Sequence, residues 1–293
     1  MEITGSNFGA VENHYIDLKY SNLVSLLAQQ TASKLEACVT VKGGLRGVTV
    51  TAANQLGKFS TKEREDRYEE THVVDVARDR RWFEPTMKSG AVLFDRFDEI
   101  KMEANPSDQV VQAIMGAYHR DIDAVIMDAY FAANKTGRKA ENSTAFGADM
   151  TVTGETDIIH ALNAATALLQ GKDVDLEQEE VFCIVPPAVE NMLKEAGVYI
   201  SGDYQDGHVL AGKKLTPYAG INFVRYNGLA KDGTSGKYKL PVFCKSGVAL
   251  GKWEDIAVKV SERPDLSHAR QFYAEYAIGA TRLEEAKCAA IEI

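Results

Sequence analysis

The sequence predicts an α+β fold, and three observations carry that expectation. Residues 106–133 place apolar side chains at helical spacing over a stretch longer than an ordinary globular helix. The segment EEVFCIVPPAVENMLKEAG passes from an apolar strand through two prolines into a helix. Much of the remainder is short β-branched runs separated by glycine and turn residues, so helices and strands alternate without a repeat. At 293 residues the chain is long enough for one large core or two smaller ones, and needs no disulfide framework. A content of 45% hydrophobic and 26% charged residues marks a packed protein rather than a disordered or fibrous one.

Residues 1 to about 20 are polar and rich in Gly, Asn and Asp. SNLVSLLAQQTASKLEACV then predicts a helix with Leu23, Leu26, Leu27 and Leu35 on one face. This reads as an arm plus a short helix that needs a surface to pack on; a frayed terminus before an ordinary surface helix fits the pattern equally. VTVKGGLRGVTV and THVVDVARDRRWFE are strand-like and flank the charged tract ANQLGKFSTKEREDRYEE. Two such flanks around a polar middle predict a long two-stranded projection. Its middle has too little apolar content to own a core, so it leans on another protein surface, or else it is a solvated loop.

The long helix has Asn105 as N-cap, Pro106 where a missing N–H costs nothing, and Asp108 in the first turn. Val111, Ile114, Met115, Tyr118, Ile122, Val125, Ile126 and Ala129 form its stripe. Its extent to about Ala133 corresponds to roughly 40 Å at about 1.5 Å per residue. KTGRKAENSTAFGADMTVTGE reads as a polar crossover. TDIIHALNAATALLQGKDV is a helix capped by Thr156 or Asp157 and stopped at Gly171. A buried strand follows at Val181–Val185, then a helix opened by two prolines and ended by Gly197, which suggests an α/β-type second domain. The glycine-rich stretch from Ser201 and the segment VFCKSGVALGKWEDIAVKVSERP supply short strands. RQFYAEYAIGATRLEEAKCAAIEI has two strand-like halves that pair back into the first domain.

The formal charge of -9 disfavours nucleic acid and anionic lipid as specific partners, while suiting a container that must not adhere to its contents. No apolar stretch has the length to cross a bilayer, and the N-terminus lacks a basic region followed by an apolar core, so no membrane association is expected. Cys38, Cys183, Cys244 and Cys288 lie far apart without C-x-x-C spacing. Cys183 and Cys288 read as small buried hydrophobes of a protein made in a reducing compartment.

VKGGLRGVTV and YNGLAKDGTSGKYKL, with Lys231 and Lys237, match neither phosphate-loop spacing and read as surface turns. His14, His72, His119, His160, His208 and His268 form no metal-binding pair, and His119 and His160 fall on helices. Ser89 and Ser246 lack a nucleophile elbow and read as turn residues; Cys183 sits among apolar neighbours that raise its pKa. Asp95 and Glu99 can share a helical face, as can Asp121 and Asp128 roughly. These, with Asp98, Glu103 and Asp123, read better as a solvated face or as partners of Lys101 and Arg120 than as an acid–base pair. Arg78-Asp79-Arg80-Arg81-Trp82-Phe83 mixes charge with aromatics; its acids dilute a nucleic-acid reading and favour a protein interface. The expectation is therefore no catalytic, cofactor-binding or metal residues, and no cofactor.

In this order the parts resemble the HK97-like major capsid proteins of tailed double-stranded DNA bacteriophages. The resemblance covers nearly the whole chain and rests on the ordering of parts. EEVFCIVPPAVENMLKEAG looks like the family's axial-domain strand, turn and helix, NPSDQVVQAIMGAYHRDIDAVIMDAYFA like its spine helix, and RQFYAEYAIGATRLEEAKCAAIEI like its closing strands. It implies an HK97-like capsid fold: an N-terminal arm and short helix over 1–47, an extended two-stranded loop over 48–84, and a peripheral domain over 85–150 with the spine helix at 106–133. An axial domain over 151–255 and C-terminal strands over 256–293 returning to the peripheral domain complete it. The implied function is a non-enzymatic shell subunit that self-assembles into pentamers and hexamers of an icosahedral head around double-stranded DNA, touching that DNA non-specifically. Implied partners are a separate scaffolding protein, a portal protein and a decoration protein, with assembly in the host cytoplasm. Lys58 and Lys62 lie in the implied loop, but nothing nearby specifies the carboxylate or asparagine of an isopeptide crosslink, so the sequence specifies neither its presence nor its absence. An encapsulin-type cargo shell, an acidic α/β enzyme and a tail or decoration protein are the alternatives.

Overall fold

The longest apolar stripe of the sequence forms α1, Ser107–Phe131, in a computed structural model that describes residues 30–68, 70–95, 107–153, 157–196, 215–229, 231 and 236–293. Tyr118, Ile122, Ile126 and Tyr130 are buried at four-residue spacing, with Met127 beside them. The helix stops two residues earlier than the pattern suggests. The Asn134 side chain donates to Ala129 O at 3.0 Å and Arg282 donates to Ala132 O at 2.8 Å, so carbonyls of the last turn are spent on side chains. The caps expected at Asn105 and Pro106 lie outside the described residues.

The chain divides into two units. The larger holds the described residues of Lys34–Thr86, Ile122–Trp253 and Ile278–Ile293; the smaller holds residues 30–33, 87–95, 107–121 and 254–277. The division falls inside α1 and inside two long strands named below.

In the larger unit, a five-stranded sheet has the order β7-β13-β10-β8-β9, formed by β7 (Thr151–Val152), β8 (Val181–Val185), β9 (Ile221–Arg225), β10 (Lys239–Cys244) and β13 (Cys288–Glu292). β8 is fully apolar because it runs between partners on both sides, parallel to β9 and antiparallel to β10. Helix α2, Ile158–Gly171, buries Ile158, Ile159, Ala161, Leu162, Ala165 and Leu169 in the core that the sheet completes. Asp157 is its N-cap, accepting from Ile159 N at 3.1 Å; Thr156 lies outside the described residues. Pro186 caps helix α3, Pro187–Glu195, and Pro187 sits at its first position, while Gly197 is outside the described residues. Glu190 of α3 is buried between Lys194 Nζ at 2.6 Å and Arg225 Nη2 at 2.7 Å. Burial works against its charge, but these two cations hold its carboxyl below the usual range.

A second sheet of the larger unit has the order β2-β3-β5-β6. β2 (Val50–Leu56) and β3 (Arg78–Phe83) are antiparallel with a bulge at Thr51/Ala53, but they are shifted from the expected flanks: β2 begins where VTVKGGLRGVTV ends and runs into the tract read as the polar middle, and β3 takes only the end of THVVDVARDRRWFE. β5 (Asn134–Thr136) and β6 (Asn142–Thr144) form a hairpin where the sequence suggested only a polar crossover. Their side chains are polar, so periodicity gave no strand signal; Gly137 at φ +92 and Ala140 at φ +59 make the turn.

The third sheet has the order β1-β11-β12-β4, with β1 at Thr40–Lys42, β4 at Thr86–Phe94, β11 at Val248–Arg263 and β12 at Ala269–Arg282. Instead of several short strands, β11 runs 16 residues. Ile256, Val258 and Val260 keep a two-residue period through an otherwise polar stretch, which sustains it. In the smaller unit Tyr118 Oη donates to Asp255 Oδ1 at 3.0 Å, Tyr276 donates to Asp121, and Phe94 meets Phe272 edge-on at 5.8 Å.

Three further expectations are corrected. The two closing strands part company: β12 lies in the sheet with β4, whereas β13 pairs with β10 and β7 in the five-stranded sheet. The small alternating side chains of Cys288–Glu292 fit that buried slot, where Ala289 and Ile291 join the core under α2. Leu35 is not on a helix but precedes the 3-10 turn Glu36–Cys38, because buried Asp123 accepts from Leu35 N at 3.0 Å and Lys34 N at 3.2 Å and fixes the chain there. Leu23, Leu26 and Leu27 lie outside the described residues. Ser89 is inside β4, while Ser246 is in a turn as expected.

Gly279 marks the closest backbone approach in the larger unit: a Cβ there would stand 2.0 Å from Glu84 O. Gly279→Ala should therefore cost about 1–3 kcal/mol in urea unfolding, the range for overpacking. Gly171→Ala, with nothing within 4 Å of the added atom, should be neutral or stabilising by up to about 1 kcal/mol.

Candidate assembly interface

Outside β2 and β3, residues 57–77 carry no strand or helix among the described positions. Gly57 N donates to Ala77 O at 2.7 Å and closes the neck of this extension. Beyond the neck Phe59 is 67% exposed, Tyr68 91% and Val73 85%. Large apolar groups with so little cover have no core of their own to join, which is the pattern of a surface completed by another molecule. Lys58 reaches Asp173 at the end of α2, and the contact moves the ammonium up and the carboxyl down from their ordinary values.

The base of the extension is firm. Phe83 is fully buried, packs edge-on against Trp253 at 6.2 Å and forms a small core with Ala52 and Ala249. Trp82 Nε1 donates to Gly137 O at 2.7 Å. Arg81, 7% exposed, donates to Glu285 Oε2 at 2.5 Å and to Gln55 at 3.2 Å. The interface reading of the arginine–aromatic tract is thus corrected for Arg81, Trp82 and Phe83, which pack within the chain; Arg78 and Arg80 are exposed. Strand alternation puts Arg81 and Phe83 on one side of β3, while Trp82, on the side of Arg78 and Arg80, is covered through its bond to Gly137 O.

The other sequence candidates fall in separate places. Asp121 is held by Lys88 at 2.6 Å, and buried Asp123 serves the backbone of Lys34 and Leu35. Asp98, Glu99 and Glu103 lie outside the described residues. Among the described residues no group of three or more His, Cys, Asp or Glu is placed to hold a metal. His119 and His160 lie on α1 and α2. His14 and His208 are outside the described residues. Ser246 donates to Glu179 at 2.7 Å and receives Lys287 Nζ at 2.8 Å. The trio looks like a nucleophile with a base, but the Lys287 ammonium is held up by Glu179 against the effect of burial. A lysine that keeps its proton cannot take one from serine, so the trio acts as a strut between the turn before β8 and the turn before β13.

Sequence reasoning passed over one residue that matters: Arg282, fully buried inside β12. Its only signal is a lone arginine in the apolar run YAIGATRL.

A family model described as Phage capsid protein matches residues 11–293. The chain belongs to the phage capsid protein family. No curated protein matches the sequence. Solved structures match along nearly their whole length. A chain of Mycobacterium phage Che8 has 16% identity and a TM-score of 0.66, covering 93% of this chain and 95% of that one. The capsid of cyanophage P-SCSP1u has 17% identity and a TM-score of 0.65, covering 100% and 99%. The capsid of Ralstonia phage GP4 has 10% identity and a TM-score of 0.69, covering 94% of each. At such identities the match establishes the fold, which is the HK97-like capsid fold, and family membership makes this phage capsid protein a structural shell subunit rather than an enzyme. Its place is the capsid of the virion. The cargo-shell and enzyme alternatives are not favoured.

The four cysteines are buried and free. Burial pushes the Cys38 and Cys244 thiols up to about 11 and Cys183 to about 12, and Cys288 moves the same way. A thiol-specific colorimetric reagent at pH 8 should label none of them in the folded subunit and all four after denaturation. Rapid native labelling would contradict the packing described.

Proposed function

We propose that this capsid protein assembles with copies of itself into pentamers and hexamers of an icosahedral head that encloses double-stranded DNA. The observation that carries the reading is the extension at 57–77, whose Phe59, Tyr68 and Val73 are left largely exposed by the subunit. Rings of identical subunits use heterologous contacts, in which a projection of one copy covers the next. Many modest contacts of this kind add up when each subunit touches several others.

In this reading residues 1–47 are the arm and short helix, 48–84 the extended loop, 85–150 the peripheral domain and 151–255 the axial domain. Residues 256–293 divide between them, β12 with the peripheral sheet and β13 with the axial one. A separate scaffolding protein, a portal protein and a decoration protein are the further partners. The head forms in the host cytoplasm, and its charge of -9 keeps contact with packaged DNA weak and non-specific.

Negative-stain microscopy of the subunit, expressed with and without the neighbouring scaffold gene, tests the proposal. Hollow shells or five- and six-fold rings are expected, and a stable monomer under both conditions would contradict it. Replacing residues 59–75 by a Gly/Ser linker should leave thermal unfolding within a few degrees of wild type while removing shells, because the neck at Gly57 and Ala77 is intact.

A further inference from the structure

Where β2 and β3 leave the sheet, Asn54, Gln55, Leu56, Arg78, Asp79, Arg80 and Arg138 line a concavity of about 620 Å³. Arg78, Arg80 and Arg138 are exposed, and among the described residues none of the three forms an ion pair. Asp79, the acid of the cleft, is occupied: its Oδ1 accepts from Gly137 N at 2.9 Å and Arg80 N at 2.8 Å, and its Oδ2 lies 3.8 Å from Arg81. Three arginines therefore line a space whose one lining carboxylate, Asp79, is already engaged.

The same unit carries the opposite charge elsewhere. DVDLEQEE, residues 173–180, holds five carboxylates and no cation. Asp173 is taken by Lys58, Glu179 by Lys287 and Glu180 by Lys245 at 3.1 Å. Asp175 and Glu177 remain, both exposed and joined in one tight turn in which Asp175 Oδ1 accepts from Glu177 N at 3.1 Å. Within one chain the acids flanking this turn are bound to lysines, and among the described residues no ion pair joins the turn to the arginine cleft.

Resting on the capsid reading above, we propose that the cleft of Arg78, Arg80 and Arg138 receives the acidic turn at Asp175 and Glu177 of a second copy. The contact is heterologous, as rings and shells require. Bidentate arginine–carboxylate pairs would fix the register of neighbouring subunits more than they add affinity. Duplex DNA is the less suitable occupant, because Asp79 interrupts a phosphate track and the chain as a whole is acidic.

Reversal of charge on each side tests this. Arg78→Glu/Arg80→Glu/Arg138→Glu and Asp175→Lys/Glu177→Lys should each lower particle yield at least about tenfold at low salt, with circular-dichroism melting as in wild type. The combined five-site variant should restore particles, and wild-type yield should fall as salt rises. Should a reversed arginine variant unfold, Arg78→Gln/Arg80→Gln/Arg138→Gln is used, with the same expected loss. Wild-type yield from either one-sided variant, or no rescue in the combined one, overturns the proposal while leaving the capsid reading intact. Normal shells that fail only to retain DNA would assign the cleft to nucleic acid and overturn it as well. Absence of particles from wild-type protein itself would instead remove the capsid reading on which the proposal stands.

Discussion

A fully buried arginine holds together the carbonyl end of the long helix and the strands around it. Arg282 donates to Ala129 O at 3.4 Å, to Tyr130 O, to Ala132 O at 2.8 Å and to Thr144 O at 2.9 Å, and its guanidinium lies 5.4 Å from the Phe146 ring. The last carbonyls of a helix lack intrahelical partners and carry the negative end of its dipole, so a cation there answers two needs together. Burial lowers the pKa of Arg282, yet an arginine stays charged at neutral pH. Glu285 supplies countercharge, with Oε1 4.0 Å from Arg282 Nε and Oε2 2.5 Å from Arg81.

From this point the larger unit is tied in several directions. Tyr130, on the same helical turn, donates to Val242 O at 3.1 Å and Ala289 O at 2.5 Å, which anchors the helix end to β10 and β13. Thr144 brings in the β5–β6 hairpin, and Arg81 through Glu285 brings in the root of the extension. The extension can therefore be almost devoid of its own core and still leave the sheet from a fixed base. That division of labour suits a shell subunit: a firm body, and projections completed by neighbours.

Legibility from sequence followed the kind of signal each element carries. β8, the start of α2 and the body of α1 were readable to the residue or nearly so, because Val181–Val185 is uniformly apolar, Asp157 is a good cap and the α1 stripe spans many turns. The paired strands of the extension were legible only in kind: β-branched Val73, Val74 and Val76 lie outside β3, and Thr40–Lys42 of the first flank pairs with β11 instead. The β5–β6 hairpin was not legible, since Asn134–Thr136 and Asn142–Thr144 are polar and are held by pairing with β3 and each other. The placement of β13 depended on which sheet had room for small side chains, a tertiary fact. The segment between β2 and β3 was legible in outline as a charged projection, but Arg81, Trp82 and Phe83 were misplaced because a run of arginines and aromatics looks the same whether it faces in or out. Arg282 was invisible because its partners are backbone carbonyls far away in sequence.

The most direct test of the central claim is urea unfolding of Arg282→Lys beside wild type, with particle formation counted on the same preparations. A single ammonium cannot span four carbonyls, so the account predicts a loss of about 3–5 kcal/mol, the range for breaking a buried, hydrogen-bonded charge, together with loss of shells. A lysine variant that unfolds at the wild-type midpoint and still forms shells would show that the helix end and the strands around it do not depend on this arginine.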